Sequence, residues 1–257
     1  MLLAIDVGNT HSVFAVCDGG KVLKEWRMRT DAGRTADEYG AWLLQLLRQT
    51  EWGAKSISAS IISSVVPDTL FPLRKCVENY FDAMPLIVGA ADVDVPMQVK
   101  LERPGEIGAD RLVNAVAAYK KINAACVAVD FGTATTFDVI DEEGAYCGGV
   151  IAPGVNLSLE ALHHAAAKLP SVAIQKPAKV VGTHTVEAMQ SGVFYGYLGL
   201  VNGIIAAIKS ERAEITQVIA TGGLASLYGK WSEAIDAIHQ DLTIEGLVAI
   251  YQHNSKL

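Results

Sequence analysis

The sequence predicts an α/β protein built from two related halves, each a mixed sheet flanked by helices. The prediction rests on three observations. First, Leu2 to Val16 reads as two apolar strands around a short polar turn that holds Asp6, Gly8, Asn9 and Thr10. Second, Val127 to Ile140 repeats that pattern, an apolar strand, Asp-x-Gly, a small polar turn and an alternating strand, with Asp130 matching Asp6 and Gly132 matching Gly8 at an offset close to half of the 257 residues. Third, apolar residues make up 51% and charged residues 19% of the chain, the composition of a globular protein with a sizeable core.

The elements follow in chain order. After the opening hairpin and the Asp18-Gly-Gly20 turn, residues Val22 to Arg29 alternate as a third strand. Thr35-Ala-Asp-Glu38 is a capping-box pattern ahead of Tyr39, Trp42, Leu43, Leu46 and Leu47, which recur on one helical face. A strand from Ser58 to Val66 stops at Pro67, a helix runs from about Asp68 to Phe81, and a strand lies around Leu86 to Val88. Pro96, Pro104 and Gly105 make Asp92 to Ile107 irregular, and a helix then starts near Ala109 with Leu112, Val113, Val116 and Tyr119 on one face. The second half continues with the Val127 hairpin, a strand at Tyr146 to Ile151, and helices at Asn156 to Lys168 and Thr185 to Ser210. It closes with a strand at Gln217 to Thr221, the Gly222-Gly223 turn and a helix from Thr243 to Gln252. The expected division is residues 1–115 and 116–257.

Charge narrows the function classes. Lys and Arg total 21 against 28 Asp and Glu, a formal charge of −7, which argues against a nucleic-acid groove. Cys17, Cys76, Cys126 and Cys147 are scattered, with no C-x-x-C pair and no zinc-ligand spacing, as expected of thiols in a reducing compartment. The first sixteen residues include Asp6 and Gly8 without a basic leader, and no apolar run reads as long enough to span a membrane. The expectation is a cytoplasmic protein that engages neither nucleic acid nor membrane.

Two Asp-x-Gly hairpins point toward phosphoryl transfer, which needs N–H-rich turns for phosphate oxygens and carboxylates for the metal. One such turn alone is more often a plain hairpin; the duplication favours a site. Val218-Ile-Ala-Thr-Gly-Gly-Leu224 delivers two glycines at a strand end, where backbone can approach a ligand closely or simply turn. In Glu106-Ile-Gly-Ala-Asp-Arg111, Asp110 falls in a first helical turn. Two readings of it stand: a helix-start carboxylate with an exposed arginine, or a general base with Arg111 fixing an anionic or polar substrate group.

Read together, Asp6-Val-Gly-Asn-Thr10, Gly108-Ala-Asp-Arg111, Asp130-Phe-Gly-Thr-Ala-Thr135, Gly148-Gly-Val-Ile-Ala-Pro-Gly154, Thr185-Val-Glu-Ala-Met-Gln-Ser-Gly192 and Thr221-Gly-Gly223 resemble the type III pantothenate kinases over essentially the whole chain. These belong to the actin, sugar-kinase and heat-shock chaperone ATPase superfamily. The resemblance implies two RNase H-like, actin-like ATPase domains with the active site in the cleft between them, and ATP-dependent phosphorylation of pantothenate, the first step toward coenzyme A. It implies that Asp6, Val7, Gly8, Asn9, Thr10, His11, Ser12 and Val13 form an ATP phosphate loop, with Asp6 near Mg2+. Thr133 would contact ATP phosphate, Gly222 and Gly223 the adenosine, and Asp130 a monovalent cation, K+ or NH4+. Leu101, Gly108, Ala109, Asp110, Arg111 and Thr185 would hold pantothenate, with Asp110 as general base and Thr185 reaching in from the partner of a homodimer with composite sites. The family commonly carries Tyr where this chain has Leu101.

Rival readings are a non-enzymatic ATP-binding protein of the same fold and a metal-dependent nuclease of RNase H-like architecture. The stretch Gly108 to Arg111 speaks against the first, and the acidic balance with Thr221-Gly-Gly223 against the second. His163-His164 reads as surface or partial core, since adjacent helical residues diverge by about 100°. Asp141-Glu-Glu143 reads as a solvated turn, and Val193, Tyr197, Leu200, Val201 and Ile204 as core or dimer interface.

Overall fold

A computed structural model describes residues 1–165 and 169–256. The chain forms two compact units, one of residues 1–97, 102–117 and 241–257, the other of residues 98–101 and 118–240.

The first unit carries β1 (Leu2–Val7), β2 (His11–Asp18), β3 (Lys21–Arg29), β4 (Ala59–Ser64) and β5 (Pro85–Ile87) in the order β3-β2-β1-β4-β5. β1 is antiparallel to β2 and parallel to β4, so the sheet is mixed. Both faces of β1 are covered, which is why it reads as a continuous apolar run rather than an alternating one. Leu3, Ile5 and Val7 pack with Tyr39 and Leu43 of α1 (Ala36–Leu47) and Leu73 and Val77 of α2 (Leu70–Phe81). Leu2 and Ala4 pack with Val113 and Val116 of α3 (Ala109–Ile122) and with Leu247 and Ile250 of α7 (Leu242–Asn254). The capping box at α1 is present: Thr35 Oγ1 accepts from Glu38 N at 3.3 Å and Thr35 N donates to Glu38 Oε2 at 2.8 Å.

The second unit carries β6 (Cys126–Phe131), β7 (Ala134–Ile140), β8 (Tyr146–Pro153), β9 (Gln217–Gly222) and β10 (Ala237–Ile238) in the order β10-β9-β6-β7-β8. This is the first sheet over again, with β6 in the place of β1, β7 of β2, β8 of β3, β9 of β4 and β10 of β5. Val127, Val129 and Phe131 pack against Phe194, Tyr197, Val201 and Ile205 of α5 (Thr185–Glu211) and Tyr228 of α6 (Ala225–Tyr228). α4 (Val155–Ala165) precedes α5; the expected helix end at 166–168 lies outside the described residues.

Several expectations are corrected. The terminal helix, placed by the sequence division in 116–257, belongs to the first unit. Leu247 and Ile250 are fully buried against β1 and β4 partners, each worth roughly 1.5–3 kcal/mol, and no local pattern names the sheet on which an apolar face will lie. α5, at 27 residues, is long and apolar enough by composition to cross a membrane, contrary to the reading of the sequence. Its Phe194, Val201 and Ile205 are fully buried against the second sheet. Asp141 is not solvated but only 9% exposed, accepting from Ala145 N at 2.8 Å and Glu143 N at 3.0 Å. β10 and α6 carried no readable pattern because two and four residues are too few for a period.

Candidate active site

In the first unit, Asp6 ends β1 in register with Val13 on β2 and Ser63 on β4. Gly8 N donates to His11 O at 3.0 Å and closes the turn, leaving Asn9, Thr10 and His11 exposed. Behind it, Thr30 Oγ1 donates to Gly8 O at 2.7 Å and lies 2.9 Å from Ser12 Oγ, and Thr30 N donates to Thr10 O at 3.0 Å. The turn is thus tied to the end of β3 rather than to β1 and β2 alone, and Thr30 is a residue that the sequence reading missed. Ser63 is fully buried, and its Oγ has no hydrogen-bond partner among the described residues. Register pairs Ser63 with Asp6 across the two strands, and both side chains carry oxygen, the donor type that suits a hard cation such as Mg2+.

The same unit holds Gly108, Ala109, Asp110 and Arg111 at the start of α3. Asp110 Oδ1 accepts from Arg111 N at 2.7 Å, so the carboxylate folds back on the helix N-terminus. A Cβ on Gly108 would stand 2.7 Å from that same Oδ1, too close for a real contact, so glycine is what lets the carboxylate sit there. Burial pushes the Asp110 carboxyl above its ordinary 3.8, while the Arg111 backbone bond and guanidinium pull the other way. One turn further, Asn114 is buried and accepts from Thr243 Oγ1 of α7 at 2.7 Å, which fixes the base of the helix.

In the second unit the matching turn is one residue shorter. Gly132 N donates to Ala134 O at 3.0 Å, so Thr133 stands where Asn9 and Thr10 stand in the first hairpin. Asp130 is in register with Thr136 and Thr221. Gly222 has φ +92°, and a Cβ there would collide with Asp130 Oδ1 and the Phe131 backbone. Gly223, by contrast, is exposed with open space at its Cβ position. Gly154 N donates to Thr133 O at 3.1 Å, and a Cβ on Gly154 would strike the carbonyls of Gly132 and Thr133. Tyr197 OH donates to Thr135 Oγ1 at 2.5 Å and lies 2.8 Å from Pro153 O. This Asp-x-Gly turn is therefore braced by β8 and α5, through Gly154 and Tyr197, a second feature the sequence did not reveal as part of the turn.

The structure brings Asp130, Thr133 and Gly222 together at the ends of β6, β7 and β9. Leu101 and Thr185 sit elsewhere in the same unit. Leu101 Cδ2 lies 3.6 Å from where a Cβ of Gly148 would stand. Thr185 opens α5, where it lines a cavity of about 620 Å3 with Val155, Met189, Gly192 and Gly196. Among the described residues no three His, Cys, Asp or Glu side chains cluster as metal ligands. His163 and His164 are both exposed, with His163 Nδ1 2.6 Å from Leu169 O.

Comparison with known proteins shows the family and the fold. The model of a family described as "Type III pantothenate kinase" matches residues 2–207. A type III pantothenate kinase of Rhodospirillum rubrum is 55% identical over 254 residues, covering 99% of each chain. One from Paramagnetospirillum magneticum is 54% identical over 255 residues, covering 99% of this chain and 98% of the relative. Among solved structures, a Campylobacter jejuni protein described as a Baf family transcriptional activator has a TM-score of 0.59 at 19% identity, covering 99% of this chain and 100% of that one. A Sinorhizobium meliloti protein described as a 2-dehydro-3-deoxygalactonokinase has a TM-score of 0.58 at 15% identity, covering 98% and 96%. At those identities the two structures bear on the fold alone, which they share with this chain: two mixed sheets flanked by helices.

Proposed function

The chain belongs to the type III pantothenate kinase family and phosphorylates pantothenate in coenzyme A biosynthesis, and we propose that Asp110 is the group that takes the proton from the acceptor hydroxyl. The observation that carries this role is the seat of its carboxylate, held by Arg111 N, with Gly108 leaving the space it occupies. A carboxylate whose proton affinity is raised by burial is a better base than a solvated one. As the hydroxyl oxygen attacks the γ-phosphorus of ATP, its proton passes to Asp110, the bond between the γ-phosphorus and the bridging oxygen breaks, and ADP leaves. The transition state is loose, so orientation of the hydroxyl by Asp110 contributes at least as much as basicity. Arg111 supplies positive charge for the substrate's own carboxylate.

The two Asp-x-Gly turns are the proposed phosphate loops: Asp6, Val7, Gly8, Asn9, Thr10, His11, Ser12 and Val13 in one unit, Thr133 in the other. Gly222 and Gly223 are the proposed adenosine turn. Asp6, with Ser63 in register, would hold Mg2+, and Asp130 against Gly222 and Gly132 would hold K+ or NH4+. Such cations neutralise phosphate charge when bound. Leu101, Gly108, Ala109, Arg111 and Thr185 are assigned to pantothenate.

We further propose a homodimer with composite sites. Support comes from α5, where Gly192, Gly196, Gly199 and Gly203 have open space around their Cβ positions, and from Val150 and Ile151, exposed on β8. Cys17, Cys76 and Cys126 are buried free thiols whose burial pushes each up to about 12, consistent with a cytoplasmic setting. The test is ADP release with ATP and Mg2+, with and without pantothenate, and with K+ replaced by Na+. Asp110→Asn is expected to cut turnover by about 100-fold or more while ATP binding persists; near-wild-type turnover in that variant removes Asp110 from the mechanism.

A further inference from the structure

Residues Gln98–Leu101 break out of the first unit and cluster with the second, although the chain on both sides, 1–97 and 102–117, belongs to the first. The excursion is only four residues long, yet it is fastened at several points. Lys100 N donates to Tyr146 O and Tyr146 N to Gln98 O, both at 2.8 Å, with Val99 bridging Tyr146 in parallel register. Tyr146 is itself buried and donates from its OH to Asp138 Oδ1 at 2.8 Å. Lys100 Nζ then bonds Asp141 Oδ2 and Glu143 Oε2, each at 2.8 Å.

The two carboxylates are not equivalent. Glu143 is 78% exposed at its side chain, so its pairing is screened by water. The Asp141 side chain is 13% exposed and pre-set by its own turn, with Oδ1 taking Glu143 N and Ala145 N and Oδ2 facing Lys100 and the Cys147 thiol at 3.3 Å. Burial pushes the Asp141 carboxyl up, but these bonds, the Lys100 ammonium's first among them, outweigh it and hold the group at about 2, so it is ionised throughout the physiological range. The residue after Lys100 is Leu101, which lies over Gly148, where φ is +111°. Seven residues beyond Leu101 the chain reaches Gly108 and the proposed base.

We propose that Lys100 and Asp141 are positioning residues that pin the start of the pantothenate-binding segment, so that Leu101 is presented to the substrate in one conformation. The assignment rests on the reading of Leu101 to Arg111 as that segment. It also removes Lys100 from the groups that pair with the substrate's carboxylate, because two protein carboxylates already occupy its ammonium; Arg111 keeps that role.

The test is steady-state ADP release by the full chain with pantothenate and ATP varied in turn. In Lys100→Met the KM for pantothenate should rise about tenfold, with kcat and the KM for ATP within about twofold, as expected when one charge-assisted contact that orders a binding segment is lost. Lys100→Arg should restore the KM, Glu143→Gln should leave it near the wild-type value, and adding Asp141→Asn to Lys100→Met should raise it no further. A wild-type pantothenate KM in Lys100→Met overturns the proposal, and so does a parallel change in kcat and both KM values. If Lys100→Met does not unfold cooperatively, Lys100→Gln, which keeps a donor but no charge, is read against the same criteria. Failure of the underlying reading shows separately, as a wild-type KM for pantothenate in both Leu101→Ala and Arg111→Gln.

Discussion

Replacing Gly222 by alanine tests how the strand ends around the second Asp-x-Gly turn are built. The residue sits at φ +92°, a region that costs an L-residue with a side chain about 1–2 kcal/mol. The added methyl would also fall on Asp130 Oδ1 and the Phe131 backbone, and overpacking of that kind costs roughly 1–3 kcal/mol. A loss of about 3 kcal/mol follows, which for a chain of this size lowers Tm by roughly 6–12 °C. The control is the next residue: Gly223→Ala meets nothing within 4 Å, so its effect should stay within about 0.5 kcal/mol. Calorimetric or circular-dichroism melting of both variants, with ADP release measured beside it, gives the comparison. Gly222→Ala should also lose most of its activity, because the atom it displaces belongs to the proposed cation ligand. Equal Tm values for the two variants would refute the reasoning, since local sequence treats the two glycines alike and only the contact with Asp130 separates them.

Further predictions concern the base and the assembly. Because burial raises the Asp110 carboxyl above 3.8, the acid limb of kcat/KM should lie above 3.8, activity falling as pH drops through the folded-state value, and the limb should vanish from the residual rate of Asp110→Asn. The stability sign is opposite: a carboxyl that holds its proton more tightly when folded makes folding less favourable as pH rises from 3.8 through that higher value. If the sites are composite, mixing Asp110→Asn and Thr185→Ala subunits should restore part of the activity, and purified mixed dimers with no recovery would defeat the shared site.

Much of the scaffold could be read before folding because it rests on local chemistry. The alternation after Asp18-Gly-Gly20, the Thr35 capping box and the apolar face of α1 each need only a few neighbouring residues to be recognised. The paired Asp-x-Gly hairpins announced the repeat, and the two sheets do share one strand order. Asp141 shows the limit of such reading. Three acidic residues before a glycine look like a solvated turn until the turn's own N–H groups and Lys100, distant in sequence, converge on one carboxylate.

The site divides along the same line. Sequence determined which residue types stand at the strand ends and the start of α3, because Asp, Gly and Thr suit tight turns and a first helical turn through their local backbone chemistry. Tertiary structure alone decided that Gly222 rather than Gly223 makes room for Asp130, that Thr30 and Tyr197 brace the two turns, that α7 closes the first unit, and that Gln98–Leu101 joins the second. Each of these depends on contact between segments far apart in the chain, where shape and burial, rather than local propensity, select the partner.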